Sequence, residues 1–208
     1  MSAQHLSLPV RTTPVTVHDY TEPGFNIYRT SFKDDELFQR FIDYIRKAVI
    51  QHCESERQVD DIPTMYTKEE IGGKHLRGLS VDEVRRLHME WVATTAESTP
   101  RTDNFDVYDF RAEYFMLVND EVLEGFRVAE DEYAKEHKEF DYIYDGAVAI
   151  MCIGYEDEET GEGVYLSEAT WQYIEPWAIA ELYDMIGRDP EWWFAAFVWP
   201  PGRYGWMA

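Results

Sequence analysis

The chain has 208 residues, 45% apolar, 15% aromatic and 29% charged, a globular composition long enough to bury a core without covalent staples. Nineteen Lys and Arg against 41 Asp and Glu give a net charge of −22. Such a surface repels nucleic-acid phosphates and anionic membranes and attracts cations, so no direct nucleic-acid binding is expected. Cys53 and Cys152 form no disulfide framework. The first residues lack a basic stretch followed by an apolar one, and no apolar run nears the roughly 20 residues that span a bilayer. A cytoplasmic or nuclear protein, not secreted and not in a membrane, is expected.

Residues 1–23 hold three prolines and no helical or strand period, and read as a flexible arm. Residues 24–208 read as one domain. Phe25 to Thr30 alternates and is rich in β-formers, which makes it the first strand. Asp34 or Asp35 then caps a helix over about 35–52, in which Leu37, Phe38, Phe41, Ile42, Ile45, Ala48 and Val49 recur at helical spacing. Residues 54–79 are polar, contain Pro63 and Gly72-Gly73, and read as a long loop.

Ser80-Val81-Asp82-Glu83 is a capping box, with Leu79 and Val84 placed as a hydrophobic staple. Its helix buries Val84, Leu87, Trp91 and Val92. Residues 112–118 form a strand apolar on both faces, hence central in a sheet. Asn119 or Asp120 caps the next helix, which turns Val122, Leu123, Phe126 and Ala129 inward. Residues 147–155 form a second central strand, a turn over Glu156 to Gly163 follows, and Trp171 to Ile174 is a further strand. Pro176 suits the first turn of a helix lined by Ile179, Leu182, Tyr183 and Ile186 and stopped by Gly187. The 147–155 and 171–174 strands are joined like a hairpin. These elements predict an α+β fold, a mainly antiparallel sheet with helices on one face, in the manner of a ferredoxin-like variant.

Several of these segments also carry a resemblance when taken in order: Gly24 to Thr30, Leu79 to Val84 with Glu90-Trp91-Val92, Phe115 to Leu123, and Trp177 to Asp184. In that order the chain resembles a group of small uncharacterised proteins from filamentous ascomycete fungi, over about residues 24–187. The resemblance implies a fungal, intracellular, single-domain protein and brings no catalytic residues.

The six histidines are widely spaced and Cys53 beside His52 has no second half, so no zinc site is expected. The acidic run Glu156-Asp157-Glu158-Glu159-Thr160-Gly161-Glu162 lacks the order that wraps a calcium ion and reads as a solvated hairpin tip. Gly161-Glu162-Gly163 lacks a third glycine and is flanked by acids. No phosphate-loop sequence occurs, so no nucleotide cofactor is expected. No nucleophile elbow is present either.

Three groups remain as candidates for chemistry. Strand parity puts Arg29 on the Phe25 and Ile27 face of the first strand, with Asn26, Tyr28 and Thr30 opposite. Glu113 shares a face with Phe115 and Leu117. If both faces meet helices, Arg29 and Glu113 are partly buried and seek partners, as a structural ion pair or as a ligand or catalytic pair. His88 falls on the Val84 and Trp91 stripe and reads as a satisfied half-core histidine or, alternatively, a base.

Charge and aromatic placement point elsewhere. Residues 103–162 hold four basic and 19 acidic side chains, net −15, and six of seven tryptophans lie between 171 and 206. Glu156, Asp157, Glu158, Glu159 and Glu162 are candidate contacts for a basic protein partner. Trp192, Trp193 and Trp199 are candidates for a partner or homodimer surface, or for closing the core. Two functions stay open: a non-enzymatic interaction or regulatory module, and a small-molecule enzyme or binder with a pocket between sheet and helices.

Overall fold

The computed structural model describes residues 24–55, 64–96, 114–136, 149–153, 171–188 and 203–204. The first strand, β1 (Gly24–Arg29), is buried at every position. It leads through Thr30–Asp34 into α1 (Asp35–Ser55). Asp34 is the cap: the Leu37 backbone N–H donates to its Oδ1 at 2.8 Å. The predicted stripe is the buried one, with Phe41, Ile45 and Val49 at 0% exposure.

A strand then stands where a loop was expected. Residues Thr64–Lys68 form β2, and the short pair β3 (Glu70–Ile71) and β4 (Lys74–His75) closes through Gly72 and Gly73. Both glycines have positive φ, 57° and 76°, as a two-residue hairpin turn demands. The reason β2 escapes a periodicity reading is that its pairing is parallel and remote: Gly24 to Tyr28 align with Thr64 to Lys68.

Helix α2 (Val81–Ala96) starts at the expected capping box. The Glu83 N–H donates to Ser80 Oγ at 3.3 Å, and the Ser80 N–H donates back to Glu83 Oε2 at 2.9 Å. Strand β5 (Tyr114–Val118) is fully buried, and α3 (Asp120–Glu136) follows, capped by Asn119 Oδ1 accepting from the Val122 N–H at 2.9 Å. Strands β6 (Ala149–Ile153) and β7 (Trp171–Ile174) come next. Pro176–Ala178 makes a 3-10 turn into α4 (Ile179–Arg188), which ends one residue beyond Gly187, and β8 (Arg203–Tyr204) adds a short edge.

The fold is α+β. Its sheet runs β2-β1-β5-β6-β7-β8 and is mixed, with β1 parallel to both β2 and β5, β6 antiparallel to β5 and β7, and β8 parallel to β7. The two parallel strands of the β1–α1–β2 unit lie side by side, whereas a ferredoxin-like unit is split by an intervening strand. Three helices share one face. There Phe41 meets Phe126 of α3 with centroids 5.2 Å apart, and Phe25 of β1 meets Tyr183 of α4 at 6.0 Å.

Helix α2 stands on the other face, over Tyr28 and Phe115. Topology explains this. Strand β2 lies on one side of β1 and β5 on the other, so two crossovers of the usual right hand run over opposite faces. Among the described residues, no helix is long and apolar enough to cross a membrane.

Candidate functional site

Charged and aromatic side chains meet at the carboxyl ends of the parallel strands β1 and β2. The chain leaving β1 turns to α1 on one face, and the chain leaving β2 leads to α2 on the other. Arg29, the last residue of β1, is 5% exposed. Its Nε donates to the Ser31 carbonyl at 2.7 Å, Nη1 donates to Glu69 Oε1 at 3.1 Å, and Nη2 donates to Asp35 Oδ1.

The guanidinium also lies against two rings, with its carbon 4.6 Å from the Phe32 centroid and 4.3 Å from that of Phe38. Phe32 in turn carries Arg77 at 4.6 Å and the His75 ring at 4.8 Å. Backbone bonds fix the same junction. The Gly78 N–H donates to the Thr30 carbonyl at 2.9 Å, and the Leu76 N–H to that of Glu69 at 2.9 Å. The connection after β2 is thereby tied to the connection after β1.

A second polar group adjoins it. Ser31 Oγ donates to Asp120 Oδ1 at 2.5 Å, and Lys33 pairs with the same carboxylate. Lys33 first, then the Ser31 hydroxyl, holds the Asp120 carboxyl below its usual range. This contact pins the start of α1 to the start of α3. The result is a crest rich in carboxylates, in which Arg29 is, among the described residues, the one Lys or Arg that is buried.

Arg29 is paired with carboxylates, as a partly buried cation on this strand requires. Asp35 and Glu69 supply the carboxylates, while Glu113 lies outside the described residues. The side chains differ in solvation: Arg29 is 7% exposed, Asp35 83% and Glu69 53%. The acids stay hydrated while the cation is held within. That is the geometry of a structural clamp.

His88 lies on the opposite face of the sheet, fully buried. Its Nδ1 and the Tyr28 hydroxyl share a hydrogen bond of 2.7 Å, and its ring sits 4.5 Å from Phe115 and 5.6 Å from Trp91. The reading as a satisfied core histidine fits this environment. Because Arg29 and Tyr28 are successive residues of one strand, their side chains point to opposite faces. The sheet therefore separates Arg29 from His88, and the two cannot act on one substrate atom.

A group that sequence reasoning passed over is also perturbed. Tyr173 donates to Glu121 Oε1 at 2.7 Å, and burial followed by that carboxylate pushes its phenol up to about 12. Burial raises the Cys152 thiol above its usual range, which disfavours the reactive thiolate. Cys53 is buried as well. Among the described residues, no three His, Cys, Asp or Glu side chains converge as a metal site requires.

The acidic residues Glu156, Asp157, Glu158, Glu159 and Glu162 lie outside the described residues, as do Trp192, Trp193 and Trp199. Of the acidic region, α3 is described. Glu121, Glu124, Asp131 and Glu132 are exposed on it. Arg127 bridges Glu124 and Asp131, and Arg40 of α1 grips Glu130 through Nε and Nη2 at 3.1–3.3 Å.

Comparison of the chain with family models, with curated proteins and with solved structures finds no match.

Proposed function

We propose that this chain is a non-enzymatic interaction or regulatory module that holds a basic protein partner on an acidic surface and works in the cytoplasm or nucleus. The aromatic-rich C-terminal segment is its second docking element, toward the same partner or a second copy of the chain. The observation that carries the reading is the segregation of charge. Residues 24–55 and 64–96, which build β1, β2, α1 and α2, each hold five basic and five acidic side chains. Residues 103–162 hold the net −15. A charge excess that solubility alone required could be spread over the whole surface, whereas one concentrated in a third of the chain steers a cationic partner to one region.

The interior supports the same reading. Arg29 and His88, the groups most suited to chemistry, are committed to contacts within the fold on opposite faces of the sheet. The test is affinity capture at low and high ionic strength, with the parent chain and with a variant in which Glu156, Asp157, Glu158, Glu159 and Glu162 become Gln or Asn. The resemblance to filamentous ascomycete proteins directs the choice of a fungal lysate. A basic partner retained by the parent at low salt, and lost with salt or with the variant, is the expected result. Equal retention in every arm would reduce the acidic region to a solubilising surface.

One observation favours the second reading, a small-molecule binder. Half-buried Phe32, with the Arg77 guanidinium over its ring, offers an aromatic and cationic surface beside the connections after β1 and β2. A metabolite that raises the unfolding temperature of the parent but not of Arg77→Ala would support that reading over the first.

A further inference from the structure

We draw no further inference here: the strongest candidate, the Arg29, Phe32 and Arg77 stack with Asp35 and Glu69 at the carboxyl ends of β1 and β2, belongs to the site already described, and its remaining feature is an acidic cluster with no second observation that points to a ligand.

Discussion

Replacing Arg29 with Met tests whether the clamp at the end of β1 holds the fold. Met keeps much of the apolar stem and removes the guanidinium with its three hydrogen bonds and two ring contacts. The two carboxylates contribute little to the cost, because Asp35 and Glu69 are 83% and 53% exposed and recover their hydration. Exposed pairs of that kind are worth about 0–1 kcal/mol. The Ser31 carbonyl is different, since its residue is buried and loses its donor, at about 1–3 kcal/mol. The stacking on Phe32 and Phe38 adds about 0.5–1 kcal/mol for each ring. A loss of about 2–5 kcal/mol is therefore expected, read from urea unfolding followed by circular dichroism and fluorescence together. The partners give the complementary test. Asp35→Asn and Glu69→Gln should each cost about 1 kcal/mol or less, and the double variant should cost more than their sum. Only the double variant leaves a guanidinium that is 7% exposed without counter-charge. If Arg29→Met costs under about 1 kcal/mol, or the two acid changes add, the clamp reasoning fails.

Three further perturbations test separate parts of the fold. Ser80→Ala should cost about 1 kcal/mol. The Ser80 N–H, then its hydroxyl, lowers the Glu83 pKa, so that stabilisation is complete above the unfolded value and lost as pH falls through the carboxylate range. The gap between parent and variant should narrow in acid, and a gap independent of pH would contradict the capping box. Gly24→Ala would set a Cβ 2.2 Å from the Thr64 carbonyl oxygen and 3.0 Å from the Tyr66 ring, forcing β1 and β2 apart. A loss of about 1–3 kcal/mol is expected in thermal unfolding, and none if the two strands are not paired as described. Tyr173 should ionise near pH 12 in a difference titration of ultraviolet absorbance between the parent and Tyr173→Phe. With its folded value raised, its contribution is full below the ordinary tyrosine value of about 10 and lost as pH rises toward 12. Ionisation at the ordinary value would rule out the hydrogen bond to Glu121.

Elements whose signal is local were legible in the sequence. The stripe of α1, the capping box of α2, the Asn119 cap of α3 and the apolar cores of β5 and β6 all follow from periodicity and capping chemistry. Strand β2 did not. Thr64-Met65-Tyr66-Thr67-Lys68 is short, lies between acidic residues and becomes a strand only by pairing with β1, about 40 residues away. Missing β2 also hid Glu69, which lies just past it, as a partner of Arg29. Strand parity correctly demanded a carboxylate for Arg29 and could not name it, because Asp35 is brought round by the β1–α1 turn. Similarly, His88 was legible as a core histidine, whereas its Tyr28 partner depends on α2 crossing the opposite face. That crossing follows from the strand order, which no local pattern encodes.

The most direct measurement of the functional proposal is the association rate of the captured partner over a series of ionic strengths. It compares the parent with the variant neutralised at Glu156, Asp157, Glu158, Glu159 and Glu162. Charges on an exposed surface act over roughly 8 Å at physiological salt, and they change how fast partners meet more than how long they stay. The parent rate should fall steeply with salt. The variant should start slower and depend on salt less, with dissociation little changed and its unfolding curve like the parent's. The same rate and the same salt slope in both proteins would contradict an acidic docking surface at these residues.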